Sequence, residues 1–306
     1  MSAEPTVNPA SEAAERAGTV DSPPVIEVAD LKVRYRRAAG WQYALRGVSL
    51  SVAPGETVGV IGETGSGKST LARAIVGLVR PAGGRILVAG EEVTRYHARQ
   101  WRAMRRRGIV QYVFQDPLRS LDPDLTVADS LIEPLLIQGR PRREALDRAR
   151  EYVARVHLDE ALLSRLPGEL SGGQRQRITV ARALVTDPRV VILDEPVSAL
   201  DAANRVRALE LLRQLRDSGT ALVFISHDLG SVAGIADRIA VLYRGEIVED
   251  GPVRAVVNAP QHPYTRLLIR SAPTLRSAGA LRSVAVGRAD REALRELLQT
   301  TGGTAP

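Results

Sequence analysis

The sequence predicts an α/β fold with a mainly parallel sheet, interrupted by a helical insert. Three observations carry that expectation. A short apolar strand, 57–61, feeds a glycine loop, Gly62-Glu63-Thr64-Gly65-Ser66-Gly67-Lys68-Ser69, and the loop opens a helix. Apolar runs at 190–193, 221–226 and 239–243 follow or precede helix-like stretches, the pattern of parallel strands covered on both faces. Residues about 118–187 carry helical periodicity and few strand signals.

Taken in order, residues 1–24 are rich in Ala, Glu, Ser, Thr and Pro without an apolar period, and read as a disordered leader closed by Pro23-Pro24. A domain is expected over 25–273. It opens at Val25-Ile26-Glu27-Val28 and continues through Leu31 to Tyr35. Val48 to Val52 alternates apolar and polar like a half-buried strand, and Pro54-Gly55 turns the chain. After the glycine loop, Ser69 to Val79 reads as a helix with Leu71, Ile75, Val76 and Leu78 apolar. Helices are expected at 131–137, 142–156 and 174–185 in the insert, and at about 203–216 beyond it. A tail, 274–306, holds one short amphipathic helix at 290–298.

The 306 residues are 44% apolar, enough for a real core. Cysteine is absent, which excludes disulfides, thiolate metal sites and iron–sulfur clusters from this sequence. No run reaches the ~20 apolar residues of a membrane span, and no signal peptide is expected. The net charge of +7 comes almost wholly from arginine, since Lys32 and Lys68 are the only lysines. The arginines are scattered and Arg105-Arg106-Arg107 is too short to define a groove, so no nucleic-acid partner is expected.

Glycines at 62, 65 and 67 let successive backbone N–H groups turn inward toward phosphate oxygens, and the following helix adds its positive end. Gly62, Thr64, Gly65, Ser66, Gly67, Lys68, Ser69 and Thr70 are therefore the candidate ATP-binding residues. Lys68 would reach the β- and γ-phosphates, and the Ser69 hydroxyl would bind Mg²⁺. Asp194 and Glu195 emerge at the C-terminal end of the 190–193 strand, where ligands sit in parallel sheets. Asp194 would complete the Mg²⁺ shell and Glu195 would act as general base on water. A flexible Gly/Ser turn or a solvated acidic turn would explain either feature alone.

Six motifs stand in order: Gly62 to Ser69, Gln115 in Val113-Phe114-Gln115-Asp116-Pro117, Leu170-Ser171-Gly172-Gly173-Gln174, Val190 to Glu195, Ser198-Ala199-Leu200-Asp201, and His227. Over about residues 26–273 the chain resembles the nucleotide-binding subunit of an ATP-binding cassette (ABC) transporter. That resemblance implies a P-loop NTPase core of the RecA-like kind, with an antiparallel β subdomain and an α-helical insert. It implies a head-to-tail pair, homo- or heterodimeric, in which Ser171, Gly172, Gly173 and Gln174 act on the partner's ATP. It also implies that Gln115 senses Mg²⁺ and γ-phosphate, that His227 bonds the γ-phosphate and Glu195, and that Asp201 shapes the dimer contact. Tyr35 lies where the family stacks an aromatic ring on adenine, with Tyr43 as an alternative.

Three local features narrow the resemblance to the ATPase subunits of peptide/nickel importers, the oligopeptide and dipeptide permease group. They are Phe114 to Pro123, Glu169 to Arg177, and Pro260-Gln261-His262-Pro263-Tyr264-Thr265-Arg266-Leu267-Leu268. A packing role for Pro263 and Tyr264 at a C-terminal helix stands beside that reading of the third. The resemblance implies separate transmembrane permease subunits received by residues about 116–139, Glu133 among them. It further implies an extracytoplasmic solute-binding protein acting indirectly, and a peripheral place on the cytoplasmic face of the membrane. Many members carry a cysteine-rich extension, which this chain lacks. The cargo is not encoded here. The alternatives are a non-transport ATPase like the accessory subunit of phosphonate C–P lyase, or an exporter ATPase.

Overall fold

The computed structural model describes residues 23–38, 40–114, 120–197 and 202–271, with 202–204 as backbone only. Gln115, Asp201 and the tail helix expected at 290–298 lie outside the described residues, as does nearly all of the expected leader.

The chain opens with strands β1 (Ile26–Arg37) and β2 (Gly40–Val52), then β3 (Thr57–Ile61) and helix α1 (Lys68–Ile75). Strands β4 (Gly83–Val88) and β5 (Glu91–Glu92), helix α2 (Ala98–Arg106) and strand β6 (Val110–Val113) follow. Next come helices α3 (Val127–Ile137), α4 (Arg142–Arg155) and α5 (Gly172–Leu184). The chain then returns to alternation with β7 (Val190–Asp194), α6 (Ala202–Asp217), β8 (Ala221–Ser226), α7 (Leu229–Ala233) and β9 (Arg238–Tyr243). It ends with β10 (Glu246–Pro252), α8 (Val253–Asn258) and α9 (Pro263–Ser271).

Two sheets form. A six-stranded sheet runs β10-β9-β3-β8-β7-β6, and a four-stranded sheet runs β2-β1-β4-β5. In the first, β9, β3, β8, β7 and β6 pair in parallel, and β10 closes one edge antiparallel to β9. The second is antiparallel throughout. The expected strand at 48–52 is the end of the longer β2, whose first half is exposed and so lacks the apolar alternation that would announce it.

The central strands are apolar on both faces because both faces are covered. Val190 and Ile192 of β7 pack with Val223 and Ile225 of β8 and with Leu71 and Ile75 of α1 in the core beneath the antiparallel sheet. Val191, Leu193, Leu222 and Phe224 point the other way, into the core shared with α6 and the helical segment. Alternate residues of one strand thus serve different cores. Helices α3, α4 and α5 bury Leu131, Ile132, Leu135, Ala145, Ala149, Val153 and Ile178 against one another. Arg182 ties α5 back to the chain, donating from Nε to Ser130 O and from Nη1 to Ser120 O.

Candidate functional site

The loop between β3 and α1 is held in a form only glycine permits. Gly62 has φ +156°, and a Cβ there would stand 2.1 Å from the Leu242 carbonyl oxygen. Gly67 has φ +112°, and a Cβ there would stand 2.7 Å from the Ala44 carbonyl oxygen. Both backbone and space therefore require the residue type present. Inside the loop, Lys68 is buried, and its Nζ donates to Gly62 O at 2.7 Å and to Glu63 O at 2.9 Å. Ser66 N donates to Glu63 O at 3.1 Å and Ser66 O accepts from Gly245 N at 2.9 Å. Burial holds the Lys68 ammonium below its ordinary pKa, while the charges of Glu195, Asp194 and Glu63 push it back up.

At the carboxyl end of β7, Asp194 is 1% exposed. Its Oδ1 accepts from Ser69 Oγ at 3.1 Å and its Oδ2 from Tyr112 Oη at 2.7 Å. Burial and the neighbouring Asp194 charge keep the Tyr112 phenol protonated, with its pKa pushed upward.

The next residue leaves the strand. Glu195 has φ +54°, the left-handed region that costs a non-glycine residue about 1–3 kcal/mol. Its backbone N–H is taken by Ile225 O at 2.9 Å, and its carboxylate by β8's end. Oε1 accepts from His227 N at 3.1 Å and lies 2.8 Å from His227 Nδ1, while Oε2 accepts from Ser226 Oγ at 3.4 Å. The carboxylate is 8% exposed, whereas the His227 ring is 61% exposed.

A cleft of about 300 Å³ opens over the loop, lined by Thr64, Gly65, Gly67, Lys68, Ser69, Thr70 and Glu195. Tyr35 and Tyr43 both line it, so it holds both aromatic candidates. Tyr35 Oη lies 3.4 Å from Thr70 Oγ1, and the Tyr43 ring is 41% exposed. Gly62, Ser66 and Asp194 lie behind that lining rather than on it.

Ser171 to Gln174 are not part of this cleft. Ser171 caps α5, accepting from Gln174 N at 3.2 Å, and its own N–H goes to Gln174 Oε1 at 2.8 Å. This reciprocal box leaves Ser171 and Gly172 exposed at the positive end of a 13-residue helix. One turn further, Gln176 Nε2 donates to Pro196 O at 2.6 Å, joining α5 to the segment that carries Glu195.

Sequence reasoning gave Tyr112, Gln176 and Ser226 no role at the site, and read Tyr264 as a family feature or a packing residue without its bond to the loop, where its phenol accepts from Glu63 N at 2.8 Å. Tyr112 and Ser226 flank motif residues on strands, so their positions at strand ends beside Phe114 and His227 were the available signal. Gln176 and Tyr264 act across 20 and 201 residues, and no local pattern reveals such pairs.

The site's chemistry is that of a phosphate cradle beside a pair of buried carboxylates. The chain belongs to the ABC transporter family, whose model matches residues 45–198. Residues 248–296 match a second model, the oligopeptide/dipeptide transporter C-terminal region. Among curated relatives, the glutathione import ATP-binding protein GsiA of Escherichia coli (strain K12) is 45% identical over 268 residues, covering 85% of this chain and 43% of GsiA. The oligopeptide transport ATP-binding protein OppF of the same strain is 43% identical over 261 residues, covering 81% of this chain and 78% of OppF. The chain spans less than half the length of GsiA. Among solved structures, the ATP-binding cassette MJ0796, a dimer in a post-hydrolysis state bound to ADP and Pi, superposes with a TM-score of 0.69 at 29% identity, over 74% of this chain and 98% of that one. CbiO1 from Clostridium perfringens, part of the cbiONQ ABC transporter complex, gives 0.68 at 28% identity, over 77% and 91%. These neighbours carry the ABC ATPase fold that the ordered motifs predict. No helix among the described residues is long and apolar enough to cross a membrane.

Proposed function

We propose that this chain is the ATP-binding and ATP-hydrolysing subunit of a multi-subunit importer of the oligopeptide/dipeptide type. The observation that carries the reading is the convergence of Lys68, Ser69 and Glu195 on one cleft, with Asp194 bonded to Ser69 behind it, while the cap at Ser171–Gln174, exposed at Ser171 and Gly172, lies outside that cleft. A half-site and an unused anion-binding helix end on one chain fit two copies, or two related chains, meeting head to tail.

In this reading the loop amides and Lys68 bind the β- and γ-phosphates, and Tyr35 carries the adenine ring. The ring of Tyr43, also in the cleft, is the second candidate. Ser69 Oγ and Asp194 Oδ1 are hard oxygen donors 3.1 Å apart, the pair that would hold Mg²⁺ together with Gln115. Among the described residues no group of three or more His, Cys, Asp or Glu side chains forms a metal cage. The Ser69–Asp194 pair suits a cation bound through one carboxylate, a hydroxyl and the substrate's own phosphates. The cation would supply charge neutralisation on the phosphates. Glu195 takes the proton of the attacking water, and His227 holds the carboxylate in place. Ser171, Gly172, Gly173 and Gln174 complete the partner's site, and Asp201 shapes the contact between the two.

Coupling to permease subunits on the cytoplasmic face of the membrane is assigned to a second cleft of about 680 Å³. Trp101, Arg102, Arg105, Glu133, Pro134, Ile137 and Arg182 line it, and Leu136, Ile137 and Phe114 leave 38%, 51% and 44% of their surface exposed near it. An apolar floor with a charged rim suits a short amphipathic helix from another subunit. The glutathione and oligopeptide systems of the relatives make a peptide the proposed cargo class. Purification of the tagged chain from detergent-solubilised membranes tests this. Recovery of integral membrane subunits, with loss of peptide uptake on deletion of the gene, is expected. Recovery with soluble enzymes alone, and peptide uptake untouched, would contradict it.

A further inference from the structure

The Glu63 backbone N–H donates to the phenol oxygen of Tyr264 at 2.8 Å. The other end of the same peptide unit, the Gly62 carbonyl, accepts from Lys68 Nζ at 2.7 Å. A trans peptide is rigid and points its C=O and N–H in opposite directions. One plane therefore stands between Tyr264 on its outer side and the loop lysine on its inner side. Gly62 has no Cβ and restrains the following plane weakly. Lys68 holds that plane from within the loop, and its other end is held by a group outside the loop.

Tyr264 is built to be that group. It is 2% exposed and lies in the first turn of α9. Its ring stacks on Tyr243 with centroids 4.2 Å apart and planes 30° apart. Its backbone N–H is taken by His262 Nδ1 at 3.2 Å. The Glu249 carboxylate accepts from Gln261 N and His262 N, both at 2.9 Å, and pins the start of the helix to β10. Packing alone would be served as well by phenylalanine. The oxygen is the part that reaches the loop.

We propose that Tyr264 is a positioning residue of the phosphate loop: by holding the Gly62–Glu63 peptide plane, it sets Lys68 and lets α9 govern affinity for the nucleotide's phosphates. The proposal rests on the nucleotide-binding reading of the loop.

The test is ATP binding by the full chain, measured by calorimetry for wild type, Tyr264→Phe and Tyr243→Phe. Tyr264→Phe keeps the ring stack and removes only the acceptor. Its dissociation constant for ATP is expected to rise about three- to tenfold, the scale of one neutral hydrogen bond. Where hydrolysis is followed, the change falls on KM, with kcat within about twofold because Glu195 and His227 are untouched. Tyr243→Phe removes a hydroxyl from the other ring of the stack and should bind ATP like wild type. Melting curves without nucleotide separate affinity from folding. An unaltered constant in Tyr264→Phe, or an equal loss in Tyr243→Phe, overturns the role of Tyr264. A wild-type chain that binds no ATP overturns the nucleotide reading itself.

Discussion

Glu195 Oε1 lies 2.8 Å from His227 Nδ1 and also takes the His227 backbone N–H. The Nδ1 edge of the ring is turned to that carboxylate oxygen, which leaves Nε2 as the ring's second polar atom. With the ring 61% exposed, the imidazole is both a brace for Glu195 and a group presented to solvent or ligand. His227→Ala removes the side-chain brace and keeps the backbone bond. Hydrolysis by the variant is expected to fall on the order of 10²-fold, with the ATP dissociation constant within about threefold of wild type. Parallel rate and binding measurements check it, and an unchanged rate would remove His227 from the chemistry.

Lys68→Ala removes a cation that the loop carbonyls of Gly62 and Glu63 hold in place. A charge-assisted phosphate contact contributes about 1.5–3 kcal/mol, so ATP should bind about 10- to 150-fold more weakly. Titration with a fluorescent ATP analogue reads this directly. Retained affinity would mean that Lys68 serves the loop's own structure and not a ligand.

Gln176→Leu keeps the volume of a buried side chain and deletes its bond to the Pro196 carbonyl. The stranded carbonyl should cost about 1–3 kcal/mol in chemical denaturation. Because Pro196 follows Glu195, the rate of hydrolysis should fall as well. A variant of wild-type stability would show that the two segments are joined by packing alone.

His262 offers a pH dependence with a definite sign. Burial holds its pKa below the ordinary histidine value, Glu249 opposes that shift, and Arg266 adds to it. The unfolded chain therefore takes up the proton first as pH falls, and the folded chain later. The contribution to stability is full above the unfolded pKa of about 6.5 and is lost as pH falls through the folded value. Protonation of Nδ1 also ends its acceptance of the Tyr264 N–H. Melting temperature should drop between about pH 7 and pH 5, and less steeply in His262→Asn, which keeps an acceptor at the helix start. Equal slopes in the two proteins would exclude His262 as the source.

Much of the candidate site was legible because its physics is local. The strand 57–61, the glycine loop and the acidic end of β7 are contiguous words in the sequence, and the structure brings Lys68, Ser69, Asp194 and Glu195 to one place. The two-faced burial of β7 and β8 was legible as unbroken apolar runs. Strands β4, β5 and β10 were not: β5 and β10 are sheet edges, β5 is only two residues long, and β4 and β10 are partly exposed, with glycines and charges in place of apolar alternation. Helix α2 was hidden for the same reason: of Ala98–Arg106 only Trp101 and Met104 are buried, and its remaining residues are largely arginine. The link from Tyr264 to the loop was hidden by distance along the chain. Its signal, a tyrosine after His-Pro, reads equally as packing.

The central claim is that Glu195 activates water on a nucleotide closed between two chains. Glu195→Gln retains the side chain's shape and its hydrogen-bonding reach while removing the base. The direct measurement is the mass of the purified variant in solution with ATP, taken alongside its rate of hydrolysis. The account predicts an ATP-loaded dimer that persists, with turnover reduced by about 10²-fold or more. A Glu195→Gln chain that remains monomeric with ATP and turns over at the wild-type rate would contradict it.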